Sequence, residues 1–154
     1  MEDVTVTIKT CSLALVLAGA GLYPLATVAD TQRDVRVVVA TPRNQRGHLI
    51  CSLFDSEEAY SRLRPAQRVV VVPTLPETTC VFHNVGSGTY MVSAIHDEND
   101  NQKLDKNIFG MPKEGYGVSN NHTYAMKAPV FGESTFTVSG ASEMILRIEL
   151  RYPS

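Results

Sequence analysis

The sequence predicts an all-β fold: an antiparallel β-sandwich, immunoglobulin-like or transthyretin-like, with about seven strands and one short helix. Three observations predict it. Short β-branched runs recur along the chain, several with apolar residues at every second position, as a sheet with one solvated face requires. Turn residues separate the runs. Only one stretch carries both helix start and helix stop signals. A small barrel is the other way to close such strands.

The elements follow in order. Residues 35–40 (VRVVVA) form the first run, ended by Thr41 and Pro42, and 47–54 (GHLICSLF) form the second. Residues 68–72 are a β-branched run stopped by Pro73, which cannot donate to a ladder. Runs 79–82 and 89–95 flank the turn signal Gly86-Ser87-Gly88, and 134–138 and 144–150 close the chain. The helix candidate is 56–63. Asp55 or Ser56 can cap it, Glu57 and Glu58 suit its first turn, and Pro65 stops it. Residues 96–129 have few strand signals, and compact domains rarely keep so long an irregular segment without a functional reason.

With 154 residues, 44% of them hydrophobic and 19% charged, the chain can bury one core. A formal net charge of -2 offers no basic face for nucleic acid or an anionic membrane surface. The absence of Trp disfavours sugar stacking. Residues 1–29 differ from the rest: a short polar start with Lys9, an apolar stretch from Cys11, and the small-residue end Thr27-Val28-Ala29. That pattern predicts a cleaved signal peptide, a periplasmic or secreted protein, and a single domain over 30–154. A membrane anchor is the alternative, but Gly19, Gly21 and Pro24 interrupt the stretch. Cleavage removes one base of 14 and two acids of 16, leaving a formal charge of -1, and no membrane span. It also leaves two cysteines, Cys51 and Cys80, expected to be disulfide-bonded in an oxidising compartment.

The chemistry concentrates in residues 96–105, HDENDNQKLD. Oxygen side chains stand at alternate positions, Asp97, Asn99 and Asn101, followed by Asp105. A curling loop aims such side chains at one centre, and the Lys103 carbonyl takes the place of a backbone ligand. Calcium, a hard cation wanting six to eight oxygens, is the ion this set predicts. The loop departs from an EF-hand: Gln102 stands where Gly is needed and Ile108 where a bidentate Glu is needed. Glu114 or Asp100 can complete the shell. The competing reading is a set of Asx-turns satisfying loop backbone without an ion.

Catalysis is not expected. His96 beside Asp97, with Glu114 downstream, invites an envelope hydrolase reading, the alternative kept here. Neighbours on a strand point to opposite faces, however, and no nucleophile elbow is present. His83, His96 and His122 match no compact zinc spacing. Tyr116, Ser119 and Asn120, in the segment EGYGVSNN, are candidates for a binding lip toward an envelope protein or a small ligand.

The segment HDENDNQKLDKNIFGMPKEGYGVSNN resembles the signature of the DUF2141 family of bacterial exported proteins. The matching positions are His96, Asp97, Asn99, Asn101, Leu104 and Asp105, then Phe109-Gly110, Pro112, Glu114-Gly115, Gly117 and Ser119-Asn120. The likeness runs from about Val35 to Tyr152 and departs at Gln102, where the family usually has Gly. It implies an envelope location and a β-sandwich, and no particular reaction.

Overall fold

In a computed structural model, which describes residues 32–122, 127–140 and 142–153, the alternating valines of the first run form β1 (Arg33–Ala40). Val35, Val37 and Val39 are fully buried, and Arg36 and Val38 turn outward. The expected signal peptide, 1–29, lies outside the described residues. The remaining strands are β2 (His48–Phe54), β3 (Gln67–Val71), β4 (Glu77–Val85), β5 (Gly88–Asp97), β6 (Gly115–Val118), β7 (Thr135–Val138) and β8 (Met144–Glu149). The helix α1 (Glu57–Ser61) is capped by Ser56, whose Oγ accepts from Ala59 N at 3.2 Å.

Eight strands among the described residues make two sheets, ordered β4-β1-β8 and β3-β2-β5-β6, with β7 also pairing β5. All pairs are antiparallel except β1–β8, which is parallel. The all-β sandwich predicted from the sequence is the fold observed, with that one parallel pair added. β6 and β7 share one edge of β5, the first against 93–96 and the second against 88–91. The core lies between the sheets, where Val37, Leu53, Phe82, Val92 and Ile148 meet. Cys51 and Cys80, both fully buried, are bonded there with Cα atoms 6.5 Å apart, tying β2 of one sheet to β4 of the other.

Two glycines let the sheets close along β6. A Cβ on Gly117 would stand 2.6 Å from Ile148 Cγ2 and 2.7 Å from the Glu149 carbonyl. One on Gly115 would stand 2.4 Å from the Tyr152 ring. Beyond β8, the chain bridges Tyr116 to Arg151, joining the edges of the two sheets.

β2 differs from a strand with one wet face. Every residue after His48 is buried. Leu49, Cys51 and Leu53 face the sandwich core, so alternation turns Ile50, Ser52 and Phe54 to the outer face. They are covered by α1, whose Tyr60 packs edge-on against Phe54, and by residues 102–112 and 127–129.

Candidate calcium loop and ligand cavity

The loop after β5 is built by carboxylates taking backbone N–H groups. Asp97, 1% exposed, accepts from Asn101 N at 3.1 Å and from Gln102 N at 2.7 Å. Asn99 Oδ1 accepts from Asn101 N (3.2 Å) and Asn101 Oδ1 from Lys103 N (3.1 Å), two successive Asx-turns. Both amides donate to Asp105, Asn99 Nδ2 at 2.7 Å and Asn101 Nδ2 at 2.9 Å. These amide hydrogen bonds hold the Asp105 carboxyl below its ordinary value, helped by the nearby charges of Lys103 and Lys113. Asp97, Asn99, Asn101 and Asp105 are thus linked in one hydrogen-bonded turn.

The other acids have separate tasks. Glu114, 5% exposed, accepts from Glu98 N (3.1 Å) and from Asp105 N (3.0 Å), clamping the two ends of the loop. Asp100 turns out to His48, its Oδ1 2.5 Å from the ring Nδ1. Glu98 turns the opposite way to Arg43 and Asn44. The hydrogen bond from Arg43 is the main cause that lowers its pKa, against the opposing effect of burial. Gln102 occupies the left-handed region with φ 65°, where Gly is the unstrained residue. Only its backbone is used by a partner, its carbonyl accepting from Arg68 Nη2 at 3.0 Å. Gln102→Gly is therefore expected to stabilise the domain, by about 0.5–1 kcal/mol after the larger chain entropy of Gly is set against the relieved strain. A thermal melt checks this, and a lowered midpoint would show that the side chain contributes more than the strain costs.

The histidines are engaged separately. His96 is fully buried, with Nδ1 2.6 Å from the Tyr152 hydroxyl and Nε2 2.9 Å from the Arg46 carbonyl. A carbonyl only accepts, so Nε2 carries a proton. Neither ring nitrogen bonds Asp97 or Glu114. His96 fixes the chain entering β2, while Asp97 faces the loop. His83 pairs with Asp34 at 2.9 Å on the far sheet. Among the described residues no three His, Cys, Asp or Glu side chains cluster as a metal centre, so any ion in this loop would lean on Asn and carbonyl oxygens. No described helix is long and apolar enough to cross a membrane.

Of the residues expected to form a lip, Tyr116 lines a cavity. Ser119 is buried and its Oγ accepts from Val92 N at 3.0 Å. Asn120 donates to the Thr135 carbonyl at 2.8 Å, holding the 3₁₀ turn Ser119–Asn121 to β7. The cavity, about 500 Å³, lies on the outer face of the β2-β5-β6 sheet. Its floor includes Ile50, Ser52, Ser93, Ile95 and Val118, and its walls come from α1 and from the segment after the loop. Sequence reasoning passed over this floor. The signal was there in LICSLF, an apolar run with scarcely any polar alternation, as in a strand buried on both faces.

A family model described as uncharacterized protein conserved in bacteria, DUF2141, matches residues 37–145. No curated protein and no solved structure matches the chain. The matched span is well over half of the 154 residues and includes both the loop and the cavity floor, and the chain belongs to the DUF2141 family.

Proposed function

We propose that the protein is an exported, non-catalytic binding module of the bacterial envelope whose loop 97–105 is stabilised by calcium. The observation that carries this reading is the turn itself. Asp97, Asn99, Asn101 and Asp105 meet in one hydrogen-bonded loop, and the Lys103 carbonyl would be the backbone ligand. Each of these oxygens keeps a lone pair beyond its hydrogen bond. Two amide N–H donors now hold the charged Asp105 carboxylate. A cation would take over that role, with the asparagines turning their oxygens toward it. Two carboxylates and two amides make a weak site, on the order of 10⁻⁴–10⁻³ M, in the range of extracellular modules. The Cys51–Cys80 bond and the apolar stretch within residues 1–29 support export to an oxidising compartment.

The role of the ion is structural. It would pin the wall of the cavity, which begins at Gln102, to the end of β5. The test is a melting curve of the full chain in excess chelator, in millimolar calcium and in magnesium. Calcium at tenfold excess over its Kd is expected to add about 1.4 kcal/mol. Asp105→Ala should abolish the response. Asp100→Ala should keep it, because Asp100 is committed to His48. A midpoint that stays fixed between chelator and calcium means that the loop is an ion-free Asx scaffold.

A further inference from the structure

The cavity on the outer sheet face has a one-sided charge distribution. Arg68, Lys103, Lys106 and Lys127 line it and, among the described residues, no carboxylate does, although the whole chain carries more acids than bases. The acid next to Lys106 in sequence, Asp105, is turned to Asn99 and Asn101. Among the described residues, Arg68, Lys103 and Lys106 form no ion pair. All four cations are exposed at the rim, where their stems extend the apolar wall and their charges reach water. The floor below them is apolar, with the register partners Ser52 and Ser93 as its polar points.

The mouth is apolar as well. Phe109 is 81% exposed and Leu63 76%, and both line the cavity. Phe109 is held out by a built turn. Asn107 Oδ1 accepts from Phe109 N at 2.9 Å and Met111 N at 3.0 Å, while Asn107 N donates to the Met111 carbonyl at 2.8 Å. A fixed turn that presents a phenyl ring to water beside an apolar cavity is the kind of exposed apolar surface that marks an interaction site. The volume falls in the range of small-molecule sites, roughly 300–1,000 Å³.

We propose that this cavity binds an amphipathic anion, a long-chain carboxylate. Its hydrocarbon chain would lie along Ile50, Ile95 and Phe109, and its headgroup would sit at the cations of Arg68, Lys103 and Lys106. The proposal rests on reading the domain as a binding module and does not require the loop to hold calcium. A cationic amphiphile would meet four like charges, and a neutral one would leave the rim unused, so charge complementarity selects the anion.

The test uses the purified full chain, with calcium and again with chelator, and a dansyl-labelled undecanoic acid whose fluorescence rises in an apolar site. Saturable binding at one probe per chain is expected, with displacement by hexadecanoate. Methyl hexadecanoate should compete at least roughly tenfold less well, the loss of a charge-assisted contact. Arg68→Gln with Lys106→Gln should weaken hexadecanoate by a similar factor and leave the ester unchanged, while the melting temperature falls by no more than the loss of the exposed Arg68–Gln102 hydrogen bond. Ser93→Phe, filling the floor, should abolish probe binding; should it fail to fold, the two rim substitutions still decide. An ester that competes as well as the acid, rim variants that bind normally, or a chain that dimerises over this face each overturn the proposal. Binding in chelator beside a calcium-insensitive melt would retire the calcium loop and keep the cavity. A calcium-dependent melt without displacement would do the reverse.

Discussion

Replacing Cys51 and Cys80 together by Ala is expected to cost roughly 3–4 kcal/mol, from the entropy of closing a 29-residue loop in the unfolded chain. The position of the bond makes that a lower bound. Both cysteines are fully buried between the sheets, and each substitution also removes a sulfur from a packed core. The bond ties the sheet of β2 to the sheet of β4, which also meet through packing, the bridge of Tyr116 to Arg151 and the hydrogen bond from Gln67 Nε2 to the His83 carbonyl at 2.8 Å. For a domain of about 120 residues the loss corresponds to a melting temperature lower by on the order of 10–15 °C. Urea unfolding of the double variant beside the parent, with reductant added to the parent as a control, gives the number. A difference below about 1 kcal/mol would mean that the reduced chain is held in nearly the same unfolded ensemble, against the loop-closure account.

The pair was legible in the sequence because composition alone raises the question of a bond when two cysteines remain beyond an expected signal peptide. Most strands were legible for a different reason. Their apolar residues alternate, as in Val35, Val37 and Val39, and one face is wet. β6 was not, because GYGV has two glycines and poor strand propensity. Its glycines are there for close approach to Ile148 and Tyr152, a tertiary demand with no local signal. The parallel β1–β8 pair was equally hidden, since pairing between the two ends of a chain leaves no mark on either. The Asp/Asn loop was readable from spacing, as Asx residues act on backbone only a few positions away. The task of Glu114 was not. It joins the N–H groups of Glu98 and Asp105, 16 and 9 residues upstream, and only the fold brings them together. The cavity was least legible. Its cations come from β3 and from the segment before β7, and nothing in one sequence window places Arg68 and Lys106 on one cavity.

Glu114→Ala is the second substitution expected to have a large effect. Glu114 is 5% exposed, and each of its carboxylate oxygens takes one backbone N–H. Truncation leaves two N–H donors without acceptors, each costing about 1–3 kcal/mol where water cannot enter. A total of roughly 2–5 kcal/mol follows, reduced to the extent that water fills the space. Glu114→Gln should cost about half as much, because one amide oxygen still accepts while the amide nitrogen faces a donor. The loss should also be local. The clamp closes the loop at Glu98 and Asp105, and the Asp105 carbonyl in turn accepts from Lys113 N at 2.8 Å, at the base of the turn that presents Phe109. Hydrogen exchange should therefore accelerate at the amides of Glu98, Asp105 and Lys113 in Glu114→Ala, while β2 and β5 amides keep their protection up to the reduced global stability. Probe binding in the cavity should weaken with it, since the wall from Gln102 to Pro112 hangs on that clamp. Unchanged exchange at Asp105 and Lys113 would show that the loop's Asx-turns hold the wall without Glu114, and would move the origin of its order back to Asp97.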